Sequence, residues 1–241
     1  MALHALHALH GKFVVVSFYI RKEAALAGQS RYWNLTQAMN KQTPHSIINL
    51  SLPRMSPSPR IILDGKQLGI IIQRLCHQLI ETHDHFHSSV IIGLQPRGVF
   101  LARRIHHQLC EITGNKDIAY GDLDVTFYRD DFRRKDLVPN KTNINFIIED
   151  KKVVLIDDVL FTGRTIRAGL DAMMAFGRPA DVELLVLIDR RYSRNVPIQA
   201  KYIGKTIDSV SSEKVKVDWT ETDGEDKVWI LTTEKNEDTQ K

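Results

Sequence analysis

Asp157 and Asp158 stand side by side at the end of the apolar run Val153–Ile156, and the stretch VVLIDDVLFTGRT closes with Thr162-Gly163-Arg164-Thr165. Adjacent carboxylates accept hydrogen bonds from hydroxyls or meet a hydrated Mg2+. Two threonine hydroxyls, an arginine, a glycine that permits a close turn and successive N–H groups at a helix start suit a phosphate monoester. The two halves cannot share one phosphate without repulsion, so they address two ends of one molecule. A diol and a phosphate held a short distance apart describe a ribose 5-phosphate. Either aspartate alone reads equally well as the cap of a solvated turn; the nonapeptide DDVLFTGRT behind an apolar strand does not.

A second loop carries the same chemistry more weakly. In GLQPRGVFLARRI, Pro96, Arg97 and Gly98 fall between a strand end and a helix start, again an arrangement suited to an anion. Paired with the first loop it implies a ribose 5-phosphate bearing a further phosphate group, phosphoribosyl pyrophosphate.

Both loops need a scaffold that delivers them to one edge. From residue 60 onward the apolar pattern is regular. Asp64 is placed to cap a helix running to about His83, with Leu68, Ile71, Ile72, Leu75, Leu79 and Ile80 on one face. SSVIIGL (88–94) reads as a strand feeding a helix through Val99 to Leu109. GDLDVTFYRDD (121–131) alternates like a strand, NINFII (143–148) like its return, and the charged stretch 132–143 like an exposed mobile loop. VVLI (153–156) precedes a helix from Gly163 to about Phe176; DVELLVLIDR (181–190), AKYIG, EKVKVDW and DKVWILTT read as further strands. Strands alternating with helices predict an α/β fold around a mostly parallel sheet, in which ligands bind beyond the carboxyl ends of the strands.

Bulk properties narrow the partners. Six basic residues against Glu23 give residues 1–59 a charge of +5; the chain as a whole is +4, which leaves −1 for residues 60–241. Any nucleic-acid contact must therefore rest on a local patch. Cys76 and Cys110 have no metal-type spacing and read as reduced core thiols of a cytoplasmic protein. The first 59 residues read as a separate object. A threefold Ala-Leu-His repeat places His4, His7 and His10 with no acidic or Cys partner, and FVVVSFYI (13–20) is too short to span a bilayer. Alternating prolines in LSLPRMSPSPR forbid regular structure. The segment is expected to be a disordered tail, or upstream DNA translated from a start codon set too early.

VVLIDDVLFTGRTIRAGLDAM resembles the type I phosphoribosyltransferase signature. With GLQPRGVFLARRI, GDLDVTFYRDD, GRPADVELLVLIDR, VPIQAKYIGKTI and SEKVKV, residues 60–233 resemble the PyrR family of pyrimidine-operon regulators that are also uracil phosphoribosyltransferases. The resemblance implies a twisted sheet flanked by helices, with a small hood and a mobile β-hairpin. It implies that Asp157 and Asp158 hold the ribose hydroxyls, that Val159, Leu160, Phe161, Thr162, Gly163, Arg164 and Thr165 complete the phosphoribosyl pyrophosphate site, and that Pro96, Arg97, Gly98 and Arg129 meet pyrophosphate. Asp157, Asp158 and Arg97 are the residues expected to carry turnover. Arg133 and Arg134 would join from the mobile loop. Pro96 departs from the family, which has Thr there; an X-Pro bond makes cis less costly, so Gln95–Pro96 is a candidate cis peptide. By the same resemblance Asp189, Arg190, Tyr202, Ile203 and Lys205 lie near the base, the β-strand residues through backbone contacts. Mg2+ enters mainly on the substrate, with Asp157 and Asp189 reaching it through water. The implied reaction converts uracil and phosphoribosyl pyrophosphate to UMP and pyrophosphate. Pyrimidine-operon leader mRNA is the further partner implied, with Arg74 and His77 at positions resembling RNA contacts, although Gln73 and Thr82 depart from the family there. A homodimer or higher homo-oligomer is expected. A non-catalytic mRNA-binding regulator and a transferase for another base are the alternatives.

Overall fold

The computed structural model describes residues 59–130, 139–209 and 213–232, all within a compact unit spanning Met55–Lys241. The expected tail and the arginines at 133 and 134 lie outside the described residues. The unit opens with strand β1 (Arg60–Leu63), which the sequence pattern did not suggest, and continues into helix α1 (Gly65–His83). Asp64 caps α1 as expected. Its carboxylate accepts from the Gln67 N–H at 2.8 Å while the Gln67 side chain accepts from the Asp64 N–H at 3.2 Å, a reciprocal capping box.

Strand β2 (Ser89–Leu94), helix α2 (Gly98–Thr113), β3 (Ala119–Leu123), β4 (Lys152–Leu160), helix α3 (Arg164–Met173), β5 (Asp181–Arg191) and β6 (Tyr202–Asp208) follow. They build a five-stranded parallel sheet in the order β3-β2-β4-β5-β6. The near-continuous apolar runs are explained by burial on both faces. Ile91, Val154, Ile156, Leu185 and Leu187 face one core with α1 and α2, and the alternating residues Val90, Ile92, Val153, Leu155, Leu184 and Val186 face the other with α3. The α/β, mostly parallel architecture is the expected one.

Two local expectations are corrected. The strand read over 121–131 ends at Leu123. Asp124 pulls the chain out of the sheet, its carboxylate accepting from the N–H and hydroxyl of Thr126 and from the Asn140 N–H, and a 3-10 turn covers Thr126–Tyr128. The return strand over 143–148 is reduced to a single antiparallel bridge between Asp122 and Asn143.

A second, three-stranded antiparallel sheet joins β1, β8 (Lys227–Thr232) and β7 (Glu213–Asp218), with the short helix α4 (Thr220–Asp223) between β7 and β8. Arg104 on α2 fastens the β7–β8 connection. Its guanidinium donates to Asp226 at 2.8 Å and to Glu221 at 2.7 and 3.0 Å, and it lies 4.8 Å over the fully buried Trp219 ring. Cys76 and Cys110 are unbridged; Cys76 is fully buried, and burial pushes its thiol up to about 12. Among the described residues no helix is long and apolar enough to cross a membrane. Arg104→Ala removes the charge partner shared by the neighbouring carboxylates Glu221 and Asp226 and uncovers Trp219. Its partial exposure moderates the loss, which is expected at about 1–3 kcal/mol. The check is a lower urea midpoint at an unchanged slope.

Candidate active site

The carboxylates belong to the sheet itself. β4 runs on through Asp157 and Asp158 to Leu160, with Asp157 opposite Val186 and Leu160 opposite Asp189 on β5. The central strand therefore projects its charged end past the level at which its apolar residues stop. Asp157 is 7% exposed, and its Oδ1 accepts from the Asp158 N–H at 2.9 Å. Burial, then the charge of Asp158, pushes the Asp157 carboxyl well above the usual carboxylate range, and Arg129 opposes the shift. Burial pushes Asp158 up too, against the pull of Arg97. Adjacent carboxylates in this setting resist full ionisation until a hydroxyl donor or a cation meets them.

Arg97 reaches them from the neighbouring strand. After β2 the Gln95–Pro96 peptide is cis, as its sequence suggests, and Arg97 occupies the position just before α2 without a side-chain cap. Its Nε lies 3.7 Å from Asp158 Oδ2, while its terminal nitrogen donates to Asp223 at 3.0 Å and to the Val217 carbonyl. The Trp219 N–H, the Thr222 hydroxyl and Arg97 hold the Asp223 carboxyl well below the usual range. Gly98 has a packing reason of its own. A Cβ there would lie 2.7 Å from the Ile156 carbonyl oxygen and 2.8 Å from Asp157 Cα, so only glycine lets α2 start against β4.

On the other side of β4 the chain turns through Gly163 (φ 86°, ψ −4°) into α3. A cavity of about 270 Å3 opens here, lined by Arg129, Asp157, Phe161, Thr162, Gly163, Arg164 and Thr165. It brings together one carboxylate, the turn and the first of the loop arginines. Leu160 is core and Val159 is packed against core, so these two contribute backbone rather than side chains. A larger cavity, about 760 Å3, lies at the opposite end of the sheet around Ser89, Val90 and Ala119 and holds none of the predicted residues.

The residues expected near the base are less uniformly placed. Asp189 is at the carboxyl edge but paired with Arg194. Arg190 is buried, donating to the Ser209 hydroxyl at 2.8 Å and to the Glu213 carbonyl at 2.7 Å, with its guanidinium 3.9 Å over the Phe161 ring. Burial lowers its pKa. Lys205 lies at the edge level, opposite Ile188, and donates to the Ile62 carbonyl at 3.3 Å. Tyr202 and Ile203 sit lower in the β5–β6 ladder, and the Tyr202 hydroxyl donates at 2.6 Å to Glu183, within a buried cluster that includes His83. Arg74 on α1 spends its guanidinium on the Ile203 and Gly204 carbonyls at 3.0 and 2.7 Å, and His77 is exposed on the same helix. Asp223 and Arg194 escaped sequence reasoning: the contacts that tie them to the site, Asp223 with Arg97 and Arg194 with the Leu160 and Phe161 carbonyls, span 33 to 126 positions of the chain, and no local spacing marks them.

The phosphoribosyl transferase domain family matches residues 60–222. The chain belongs to that family. Within it the chain is 48% identical over 173 residues to the bifunctional protein PyrR of Desulfosudis oleivorans, covering 71% of this chain and 95% of the relative. It is 41% identical over 181 residues to that of Elusimicrobium minutum, covering 74% and 99%. This phosphoribosyltransferase is therefore a PyrR family member. Its fold is shared with the hypoxanthine phosphoribosyltransferases of Trypanosoma cruzi (TM-score 0.55, 18% identity, 73% of this chain and 97% of the other) and Staphylococcus aureus (TM-score 0.53, 21% identity, 76% and 95%). At that identity the likeness speaks for the type I phosphoribosyltransferase fold alone.

No group of three or more His, Cys, Asp or Glu converges on a metal position among the described residues. The donor set at the sheet edge, two adjacent carboxylates, suits a cation that arrives already coordinated by a substrate. Both folded carboxyls lie above the unfolded aspartate value of about 3.9. Their protonated forms therefore stabilise the fold below that value, and the contribution is lost as pH rises through the folded pKa. In ligand-free protein, Asp157→Asn should remove that loss and raise the melting temperature at pH 8 by about 2–4 °C, with little change at pH 4. Thermal melts across this range decide it, and a variant that melts lower at pH 8 contradicts the assignment of buried repulsion.

Proposed function

We propose that the protein transfers a phosphoribosyl group to uracil, giving UMP and pyrophosphate. The observation that carries this reading is the meeting of three features at one sheet edge of a PyrR family chain. These are the adjacent carboxylates of buried Asp157 and half-buried Asp158, Arg97 at 3.7 Å from Asp158, and the left-handed Gly163 turn. In this reading the carboxylates accept hydrogen bonds from the ribose 2′- and 3′-hydroxyls, which relieves their desolvation. Backbone N–H groups of residues 161–165 and the Thr162 and Thr165 hydroxyls hold the 5-phosphate. Arg97 and Arg129 neutralise charge that develops on the leaving pyrophosphate, and the Asp189 edge with the β6 backbone receives the base. The Mg2+ that accompanies phosphoribosyl pyrophosphate supplies further charge neutralisation of the leaving group. Displacement at C1′ through an oxocarbenium-like transition state needs no protein nucleophile, so the chain contributes positioning and fixed charge. The reading carries with it a cytoplasmic location, a homo-oligomer, and residues 1–59 as an extension outside the catalytic domain.

The test is a direct assay with uracil and phosphoribosyl pyrophosphate. Asp158→Asn is expected to lower turnover roughly 100-fold or more, with circular dichroism close to wild type and melting no lower than wild type. Uracil turnover near wild type in that variant would count against the site.

A second activity, UMP-dependent binding of a pyrimidine-operon leader RNA, is favoured by the word bifunctional in the names of the relatives. With residues 60–241 at −1 overall, such binding must use a local patch. Affinity for the leader RNA should then fall linearly on a logarithmic salt scale. His77→Ala should weaken binding without loss of stability, whereas Arg74→Ala should destabilise the α1–β6 contact. Salt-independent or absent RNA binding leaves the enzyme alone.

A further inference from the structure

The structure assigns to Arg194 the positioning of the loop at 160–163, an inference that rests on the phosphate role proposed above for that loop. Arg194 lies in the turn after β5, with its side chain 23% exposed. Its Nε donates to the Ile198 carbonyl at 3.2 Å. One terminal nitrogen donates to the carbonyls of Leu160 at 3.1 Å, Arg190 at 3.0 Å and Phe161, and the other donates to Asp189 Oδ1. Next to it, the Asn195 and Val196 N–H groups donate to the Thr162 carbonyl at 2.9 and 3.1 Å. Three consecutive carbonyls, those of residues 160, 161 and 162, thus converge on one turn.

That convergence has a geometric consequence. In a trans peptide the N–H of residue i+1 points opposite to the carbonyl of residue i. Holding the carbonyls of 160–162 against the 194–196 turn directs the N–H groups of Phe161, Thr162 and Gly163 to the other side. Successive N–H groups aimed at one point make an anion nest, and the cavity lined by Phe161 to Thr165 borders this loop. The turn also backs the loop sterically: a Cβ on Gly163 would meet the Val196 carbonyl at 3.3 Å. Arg194 therefore acts through the loop and touches no reacting atom. The planar fork of a guanidinium can serve acceptors on several segments at once, which the point charge of an ammonium cannot. The pair with Asp189 ties the base-side edge of the sheet to the same clamp.

The experiment compares wild type, Arg194→Lys and Arg194→Ala in steady-state turnover, and in calorimetric titration with ribose 5-phosphate as the probe. The expected result is a KM for phosphoribosyl pyrophosphate and a Kd for ribose 5-phosphate raised about tenfold or more, the loss of a pre-organised site. The KM for uracil should rise clearly less than that for phosphoribosyl pyrophosphate, because the base-side edge depends on Arg194 only through its pair with Asp189. Added guanidinium at non-denaturing concentration should partly restore the Arg194→Ala variant and leave wild type unchanged. Equal loss in all parameters together with lowered melting of both variants, or unaltered ribose 5-phosphate affinity, overturns the assignment. Failure of the functional reading is separable from this. Wild type that binds ribose 5-phosphate but does not turn over uracil refutes the reading, while the probe affinities of the variants still decide the role of Arg194. Wild type that does not bind the probe refutes both.

Discussion

Two neighbouring carboxylates at the buried end of the central strand set the terms for everything around them. Residues i and i+1 of a strand ordinarily face opposite sides of a sheet; here both are drawn out of water at the sheet edge, so neither side disperses the charge. The surroundings supply only partial compensation. The Asp158 N–H turns to Asp157, Arg97 approaches Asp158 without a short contact, and Arg129 acts on Asp157 from across the cavity. A well-packed structural edge would have neutralised such a pair completely or replaced it. Leaving it under-compensated keeps free energy in hand for a ligand whose hydroxyls or cation complete the set.

The scaffold carries that load by rigidity. β4 is central, flanked by β2 and β5 in register, with apolar side chains buried on both faces up to Ile156. Gly93 and Gly98 allow α2 to press against the sheet at the level where the charges begin. The antiparallel sheet is then attached through α2 and the Arg104 cluster, and it brings Asp223 to Arg97. The two sheets therefore meet the site from different directions.

Most of the architecture was legible because it depends on local pattern. The runs SVIIGL and VVLI and the apolar half of DVELLVLIDR are long enough and clean enough to declare buried strands, and Asp64 ahead of a helical apolar stripe marks the start of α1. The misreadings have physical reasons. GDLDVTFYRDD alternates like a strand, yet Asp124 closes side-chain hydrogen bonds with Thr126 and Asn140 that the sheet ladder cannot match. RIIL is too short for its periodicity to register, and it becomes a strand only because β8 pairs with it from the far end of the chain. In the site, the residues of DDVLFTGRT and QPRG carry their chemistry in their types. Arg194, Asp223 and the carbonyl-bound Arg74 do not, because what defines them is a partner 30 to 130 positions away, as with Leu160 and Ile203.

The Arg97–Asp223 contact changes what occupancy of this edge means. An anion that takes Arg97 does not fill a waiting charge; it trades places with a carboxylate of the same chain. The net free energy is then a difference between two charge-assisted contacts of similar strength, far smaller than either alone. Once released from Arg97, the Asp223 carboxylate would still be held by the Trp219 N–H and the Thr222 hydroxyl, so the exchange would leave no carboxylate without a donor.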